Sequence, residues 1–225
     1  SSIINGYTPG PATEKEWAET YPLEKEALDY FINNAGSPNG VIDGGIPVFA
    51  AGNEYAGNPA CPGAYSKCVS VSSLAADYTP ACYTDFGSLV TLSAPGGDLE
   101  YYSKIGEQED EYWAEATEQK GAVLSTMIKN GQPAYGYMEG TSMACPHVSG
   151  VAALGLAYAS KTNRHYRAAD FVALMKKSVK DLDSHYQNGA TKTYYMNHTT
   201  VGASPEIVQL SKYIGKMGAG LIDAA

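Results

Sequence analysis

The feature of this sequence that most restricts its fold is an almost entirely apolar stretch over residues 142–159, which directly follows Gly140 and Thr141. Its length and composition predict a helix. A helix that is apolar on all sides belongs in the centre of a domain, where other elements cover every face. A chain of 225 residues is long enough to bury such a helix, so we expect one domain built around it.

Short apolar runs predict the strands that accompany this helix. Val69 and Val71 alternate with serines, which is typical of a strand, and residues 46–51 form an apolar run between glycines. Three further short runs, at 3–4, 89–92 and 122–126, are predicted as strands in the same way.

Two amphipathic helices are predicted beside the apolar one. The first carries Leu23, Ala27, Leu28 and Phe31 at helical spacing and stops near residues 33–36, and the polar residues 13–21 before it form an extra helical turn or a loop. The second begins near Asp170 and carries Phe171, Leu174, Met175 and Val179 on one face. The alternation of strands and helices favours an α/β fold.

Composition excludes some classes of function. Twenty-four acidic residues against fifteen lysines and arginines give a net charge of −9, the wrong sign for a surface that neutralises phosphates. No uninterrupted apolar run is long enough to cross a membrane, and residues 1–10 lack the basic and then apolar pattern of a signal peptide. We therefore expect neither nucleic acid nor a membrane as a partner.

Two segments are expected to be insertions. Residues 98–120 hold eight acidic residues against Lys104 and Lys120, which predicts a solvated segment. Calcium binding needs backbone carbonyls in a fixed loop in addition to acidic side chains. We therefore assign no residues to a structural calcium ion. A second, polar insertion is expected near 183–212.

The cysteines leave two interpretations open. Cys61 and Cys68 can close a small loop as a disulfide in an oxidising compartment, or three or four of the cysteines are buried free thiols. The four residues Cys61, Cys68, Cys82 and Cys145 allow three pairings. No C-x-x-C pair is present and the histidines are scattered, so we expect no metal site of the zinc type.

Ser142 is the candidate nucleophile. It falls on the first turn of the apolar helix, where unpaired N–H groups and the positive end of the helix dipole stabilise an anion. Gly140 removes a side chain where a substrate carbonyl has to approach. The alternative interpretation is a serine that only caps the helix.

Residues 140–150, GTSMACPHVSG, resemble the nucleophile segment of the subtilisin-like serine proteases, the subtilases. Residues 47–53, PVFAAGN, resemble the strand of that family that ends in the oxyanion-hole asparagine. Residues 65–73, 93–96 and 218–225 resemble further family segments in the same order along the chain. The resemblance covers nearly the whole sequence.

This resemblance implies a doubly wound, mostly parallel sheet flanked by helices, here without the N-terminal strands of the family. It implies that Ser142 is acylated, and that the Asn53 side-chain amide and the Ser142 backbone N–H bind the oxyanion. His147 is then a structural neighbour, because five residues along a helix place it about 140° away from Ser142. The other positions assigned to substrate binding are Ala50, Ala51, Gly52, Gly140 and Thr141.

The family's aspartate and histidine motifs are absent upstream of Asn53. We therefore expect residues 1–225 to be the C-terminal portion of a single catalytic domain of a secreted endopeptidase that needs no cofactor. The missing N-terminal half supplies the base, and this chain alone is inactive and binds that half or self-associates. The alternative is a catalytically dead module that binds peptides in the same groove.

Overall fold

The computed structural model describes residues 10–36, 40–98, 121–194 and 206–224. The helices are α1 (Glu14–Thr20), α2 (Pro22–Asn34), α3 (Thr141–Lys161) and α4 (Ala168–Met175). The strands are β1 (Ile42–Asp43), β2 (Val48–Ala50), β3 (Val69–Leu74), β4 (Leu92–Pro95), β5 (Val123–Lys129), β6 (Gln132–Met138), β7 (Tyr166–Arg167), β8 (Val179–Lys180), β9 (Thr191–Tyr194), β10 (Glu206–Gln209) and β11 (Leu221–Ile222). Two 3₁₀ turns cover Asp183–Tyr186 and Leu210–Tyr213.

Five strands form the main sheet, in the order β2-β3-β4-β11-β8. The first four run parallel and β8 is antiparallel to β11. Val71 on β3 lies opposite Ala50 on one side and Leu92 on the other, so β3 is a central strand. The expected mostly parallel α/β sheet is confirmed.

Helix α3 packs on one face of this sheet. Val71, Leu92, Ala144 and Val148 are fully buried and share one core cluster, which α4 joins through Phe171. The small side chain of Ala144 lets the backbone of α3 approach the strands closely. This packing fixes the N-terminal end of α3 at the end of β2, where the site described below lies.

The prediction that α3 is buried on all sides is wrong. Leu154 is 65% exposed and Tyr158 is 64% exposed, and both line an open pocket with Phe171 on α4 and Ile222 on β11. Within the described part of the chain, α3 makes its main contacts with β2, β3 and β4, which lie beneath one side only. Among the described residues, no helix is both long enough and apolar enough to span a membrane.

The opposite face of β3 is lined with small polar side chains. Ser70 and Ser72 are completely buried on this face, which allows the loops beyond them to pack closely. A second core cluster lies on this side and contains Tyr186 and Tyr213. Described residues from the segment 183–212 therefore contribute to the core and do not form only a polar surface.

Element boundaries differ from the prediction in several places. Residues 14–20 form a helix, α1, because the Thr13 hydroxyl accepts the Glu16 N–H at 3.2 Å. Strand β4 begins at Leu92 and not at Leu89. Val179 belongs to strand β8, since α4 ends at Met175. The predicted strand at residues 3–4 lies outside the described residues.

The run at 122–126 is part of a longer element than predicted. It belongs to β5, which pairs with β6 in an antiparallel hairpin turned at Asn130 and Gly131. Both turn residues have positive φ, 52° and 76°, as a tight hairpin turn requires. The hairpin ends two residues before Gly140 and so leads directly into the candidate site.

Asp98 does not belong to a solvated segment. It is completely buried, and its carboxylate lies 2.7 Å from the ammonium of Lys192, whose side chain is 1% exposed. The same carboxylate accepts the Cys82 N–H at 3.0 Å. The sequence could not predict this pairing, because Lys192 is 94 residues away along the chain. Residues 99–120 lie outside the described part of the structure.

All four cysteines are free thiols in this structure. Cys61 and Cys68 share a buried cluster with Trp17. Burial is the main cause that raises the pKa of Cys61 to about 11 and that of Cys68 to about 12. Of the two interpretations of the cysteines, the structure has the buried thiols.

Candidate active site

Ser142 lies on the first turn of α3, two residues after Gly140, which caps the helix. Gly140 has φ 141°, which favours glycine, and its carbonyl accepts the N–H groups of Met143 at 2.9 Å and Ala144 at 3.2 Å. The backbone N–H of Ser142 has no partner among the described residues. It therefore remains available as a donor at the positive end of the helix.

Asn53 follows strand β2 and is bonded to the same turn of α3. Its Oδ1 accepts the backbone N–H of Thr141 at 3.0 Å and the Thr141 hydroxyl at 2.8 Å. Thr141 is 1% exposed, so these bonds are shielded from water. Because Oδ1 is occupied by two donors, the Nδ2 group of Asn53 is left on the side of Gly140.

The two candidate donors converge next to Gly140. A Cβ atom built on Gly140 would lie 3.6 Å from Asn53 Nδ2 and also 3.6 Å from the backbone N of Ser142. The absence of a side chain at this position keeps that volume open. An anionic oxygen placed there would have two N–H donors within reach, which is the arrangement that stabilises a tetrahedral intermediate.

The segment that precedes Asn53 supplies small side chains beside this volume. Ala51 is 4% exposed and its N–H bonds to the Val71 carbonyl at 2.9 Å, while Ala50 and Gly52 are half-buried. The Gly52 N–H donates to the Thr141 hydroxyl at 3.3 Å. The structure thus brings together all the residues that the sequence assigned to the site: Ala50, Ala51, Gly52, Asn53, Gly140, Thr141 and Ser142.

A support that sequence reasoning missed lies beneath Gly140. The Gly140 N–H bonds to the Gly96 carbonyl at 2.9 Å, and the Tyr83 hydroxyl donates to the neighbouring Gly97 carbonyl at 2.5 Å and lies 3.1 Å from the Gly96 carbonyl. The Tyr83 hydroxyl also lies 2.8 Å from the Ser73 hydroxyl. Burial raises the pKa of Tyr83, which keeps the phenol protonated as a donor. No local pattern around Tyr83 indicates this role.

The contacts of His147 are not those of a general base for Ser142. Its Nδ1 atom lies 2.8 Å from the Met143 carbonyl on the same helix, and the side chain is exposed. The ring is therefore held against the helix backbone.

A second histidine forms a pair with an aspartate, but far from Ser142. His165 Nε2 lies 2.8 Å from Asp43 Oδ2 and its Nδ1 lies 2.7 Å from the Gly40 carbonyl, so both ring nitrogens are engaged. The Asp43 contact is the main cause that raises the pKa of His165. The pair follows the C-terminal end of α3, and 21 helical residues at 1.5 Å each place it about 30 Å from Ser142.

Asp29, which with Asp43 is one of the two aspartates upstream of Asn53, is bonded to other groups. Its carboxylate bonds to Lys25 at 2.6 Å and Lys67 at 3.0 Å, and it accepts the Tyr65 hydroxyl. These donors, with Lys25 the strongest, lower the pKa of Asp29. In the described ranges, no group of three or more His, Cys, Asp or Glu side chains is arranged to hold a metal ion.

Comparison with known proteins identifies the family of the chain. The model of the subtilase family, Peptidase S8, matches residues 7–196. Over 112 residues the chain is 38% identical to halolysin from Haloferax mediterranei, and the match covers 50% of this chain and 17% of halolysin. Over 147 residues it is 27% identical to an extracellular basic protease from Dichelobacter nodosus, covering 65% of this chain and 21% of that protein.

The fold is shared with solved protease structures. A protease from Pseudoalteromonas arctica superposes with a TM-score of 0.58 at 22% identity, over 97% of this chain and 47% of that protein. The chain therefore spans less than half of the solved structure and less than a quarter of each of the two relatives above.

Proposed function

Because the chain belongs to the subtilase family of serine proteases, we propose that it carries the nucleophile and the oxyanion site of a serine endopeptidase. One observation carries this proposal: the Asn53 side-chain amide and the Ser142 backbone N–H face one open volume beside Gly140. A serine that only caps a helix would need neither the second donor nor the open volume.

In the proposed reaction, Ser142 Oγ attacks the carbonyl carbon of a peptide bond and loses its proton to a base. The carbonyl oxygen becomes an oxyanion and accepts hydrogen bonds from Asn53 Nδ2 and the Ser142 N–H. The intermediate collapses to an acyl-enzyme on Ser142 as the C–N bond breaks, and the leaving amine takes the proton from the base. Water then gives a proton to the same base and attacks the ester, and that proton returns to Ser142 Oγ as the acid leaves. Every step is acid-base and acyl-transfer chemistry, so no cofactor is required.

The general base and its aspartate partner come from outside residues 1–225. In support, the described histidines that follow Ser142 are held by other groups or lie on the surface, as described for His147 and His165. His185 is exposed and stacks on Tyr78 with ring centroids 6.0 Å apart. Without a base, turnover by this chain alone falls by about 10⁶, as is typical when the base of a catalytic serine is removed.

The missing part of the catalytic domain packs on the uncovered side of α3. Leu154 and Tyr158 are large apolar side chains on that side, and exposed apolar patches of this kind recruit another polypeptide. A second copy of the chain is the alternative occupant when the missing part is absent. Light scattering should find the isolated chain self-associated, and a monodisperse monomer that melts cooperatively would contradict this.

The protein acts outside the cell. The relative from Dichelobacter nodosus is named an extracellular protease, and a net charge of −9 suits a soluble secreted domain. The substrate is a polypeptide that lies along the segment 50–52, whose small side chains leave room for a substrate side chain.

Covalent labelling tests the proposal. The full-length protein is treated with a fluorophosphonate, and the labelled peptide is identified by mass spectrometry. We expect the label on Ser142, and we expect the Ser142→Ala variant to lose it. Ser149→Ala is the matched control, because Ser149 is an exposed serine on the same helix that bonds to the Cys145 carbonyl at 3.3 Å.

Absence of labelling in the active-site segment would favour the alternative function, a peptide-binding module without turnover. That module would still bind a peptide that ends in an aldehyde, without forming a bond to Ser142. Labelling at Ser149 alone would contradict both functions.

A further inference from the structure

A buried carboxyl group lies beneath the turn that carries Asn53. Asp85 is 2% exposed, and its Oδ1 accepts the backbone N–H groups of Glu54 at 3.1 Å and Ala56 at 2.7 Å. The backbone N–H of Asp85 donates to the Gly52 carbonyl at 3.0 Å. Asp85 therefore holds the turn on both sides of Asn53, while making no use of the Asn53 side chain itself.

Asp85 is in turn fastened to the central strand. The Ser72 hydroxyl on β3 donates to the Asp85 carbonyl at 2.5 Å. The Thr84 hydroxyl donates to the same carbonyl at 3.1 Å and accepts the Ser73 N–H at 2.9 Å. The position of Asp85 is thus set by β3, and a rigid strand determines where the turn lies.

A second carboxyl group completes the arrangement. Glu54 Oε2 accepts the Asn53 backbone N–H at 2.9 Å, and the Glu54 and Asp85 carboxyls lie close together beside Gly52. Both carboxyls face Gly52, where a Cβ atom would lie 2.6 Å from Glu54 Oε2 and would collide with Asp85. Gly52 has φ 125°, so both its conformation and its surroundings require glycine.

Two carboxyl groups can hydrogen-bond to each other only when one of them carries a proton. Burial is the main cause that raises the pKa of Asp85 to about 7; the nearby Glu54 acts in the same direction and the N–H donors act in the opposite one. Asp85 therefore keeps its proton at a pH where an isolated carboxyl has lost it, and the protonated Asp85 carboxyl can donate to Glu54.

We propose that Asp85 is a positioning residue that, through a proton shared with Glu54, holds the turn at residues 52–56 so that the Asn53 amide faces the oxyanion. This inference rests on the proposed function, because it assigns the turn a role in that reaction. When the pair loses its proton, two carboxylates repel each other. Glu54 then moves away and releases the Asn53 N–H.

The groups that face the pair define what else can influence it. Asp85 and Glu54 face each other, and their other contacts are the backbone N–H groups already named. Two cations among the described residues lie in the same region: the Lys212 ammonium lies over the Tyr55 ring at 4.4 Å and the Phe86 ring at 5.3 Å, and the Lys216 ammonium lies over the Phe86 ring at 5.9 Å. Both lysines therefore adjoin the sequence neighbours of the two acids.

Hydrogen exchange and labelling, measured on the full-length protein, test the inference. Exchange of the amides in the turn is measured by mass spectrometry between about pH 6 and pH 8.5 and corrected for the intrinsic rate, alongside the rate of fluorophosphonate labelling. In the native protein we expect the exchange rate of the turn amides to rise about tenfold over this pH range. We also expect the pH dependence of the labelling rate to differ from the one that titration of the general base alone would give.

Three variants and a control separate positioning from general stability. In Asp85→Asn the side chain still accepts the two N–H groups and donates to Glu54, so the turn stays protected at both pH values. In Glu54→Gln the new amide can donate to the Asp85 carboxylate, so the turn again stays protected at both pH values. Because Glu54 is exposed, this change preserves folding. Asp85→Ala exposes the amides of the turn to exchange at both pH values. The control Asp77→Asn changes an exposed carboxylate that bonds within its own turn to Thr79 and leaves the native profile intact.

Identical pH profiles in the native protein and in Asp85→Asn would overturn the shared proton. Unchanged exchange in Asp85→Ala would overturn the positioning role. If no protein is labelled, the proposed function fails, and the exchange data still decide whether Asp85 and Glu54 hold the turn. If labelling occurs and follows the same pH profile in all variants, the function stands and the inference fails.

Discussion

The side-chain oxygen of Asn53 accepts two hydrogen bonds from Thr141, although 88 residues separate the two in sequence. The pair joins the end of β2 to the first turn of α3. Because both bonds end on Oδ1, they decide which way the amide is turned and leave its N–H groups for a ligand. The orientation of one candidate donor therefore depends on a residue that contributes no group to the reaction.

Replacing Thr141 by valine should misalign this amide. The change removes the hydroxyl bond to Asn53 and the hydroxyl acceptor of the Gly52 N–H, and it keeps the shape and the backbone bond. We expect Ser142 to be acylated at least about tenfold more slowly, since one hydrogen bond is worth about that much. The rate of fluorophosphonate labelling measures it. Thr141→Ser keeps the hydroxyl and should label at the native rate. Equal rates for the valine and native proteins would show that the hydroxyl does not orient Asn53.

Two replacements of Asn53 should separate its donor from its acceptor. Asn53→Ala removes both functions, and we expect kcat to fall about 10² to 10³-fold with little change in KM. Asn53→Asp keeps an oxygen for Thr141 but offers no N–H, so it should lose about as much. Steady-state kinetics of the full-length protein measure both. A fully active Asn53→Asp enzyme would exclude the proposed donor role.

Replacing Gly140 by alanine should damage both folding and reactivity. The residue has φ 141°, which costs an alanine about 1–3 kcal/mol, and the new Cβ would enter the volume between the two donors. Gly150→Ala is the matched control, since an added Cβ there meets nothing within 4 Å and the helix should gain about 1 kcal/mol. Chemical denaturation and labelling measure the two effects, and equal behaviour of the two variants would contradict the prediction.

Removing only the lysine of the buried ion pair between Lys192 and Asp98 should destabilise the protein. Lys192→Met leaves the Asp98 carboxylate in a completely buried position without its lysine, and we expect the free energy of unfolding to fall by about 3–5 kcal/mol. Adding Asp98→Asn removes the charge and keeps an acceptor for the Cys82 N–H, so the double variant should recover much of the loss. Denaturation by urea measures both, and a double variant less stable than the single one would argue against an uncompensated charge.

The contact between His165 and Asp43 should make stability depend on pH. The pKa of His165 is raised in the folded state, so the pair stabilises the protein at pH values below the ordinary histidine pKa, and this contribution is lost as the pH rises through the raised value. Asp43→Asn should therefore lower the melting temperature at about pH 5.5 and leave it nearly unchanged at about pH 8.5. An equal effect at both pH values would point to packing and not to charge.

Much of the site could be predicted because its signals are local. The glycine before Ser142, the apolar helix after it and the short strand before Asn53 are each contained in fewer than twenty residues of sequence. Their residue types are restricted by backbone geometry at one place, such as the positive φ of Gly140. The sheet follows from the same kind of pattern, since parallel buried strands are short apolar runs.

The remaining features depend on contacts between distant segments. Asp98 looked solvated because its neighbours in sequence are acidic, yet its partner is 94 residues away. Asp85 is buried under the Asn53 turn only because β3 carries the bonds that place it there. Helix α3 was expected to be covered on all sides, whereas the described strands cover only one side of it. Composition predicts that such a surface requires burial, but it does not identify the element that buries it.

The hydrogen bond from the Asp98 N–H to the Gly121 carbonyl, at 2.9 Å, has a consequence for how this protein can change over evolution. It joins the two ends of the segment 99–120 at a single point, directly after the Gly96 carbonyl that holds Gly140. Insertions or deletions beyond that junction leave its geometry intact, because loop length adds only slowly to the cost of closure. Relatives can therefore differ widely in this segment, or exchange it between proteins, while the approach to the nucleophile keeps its shape.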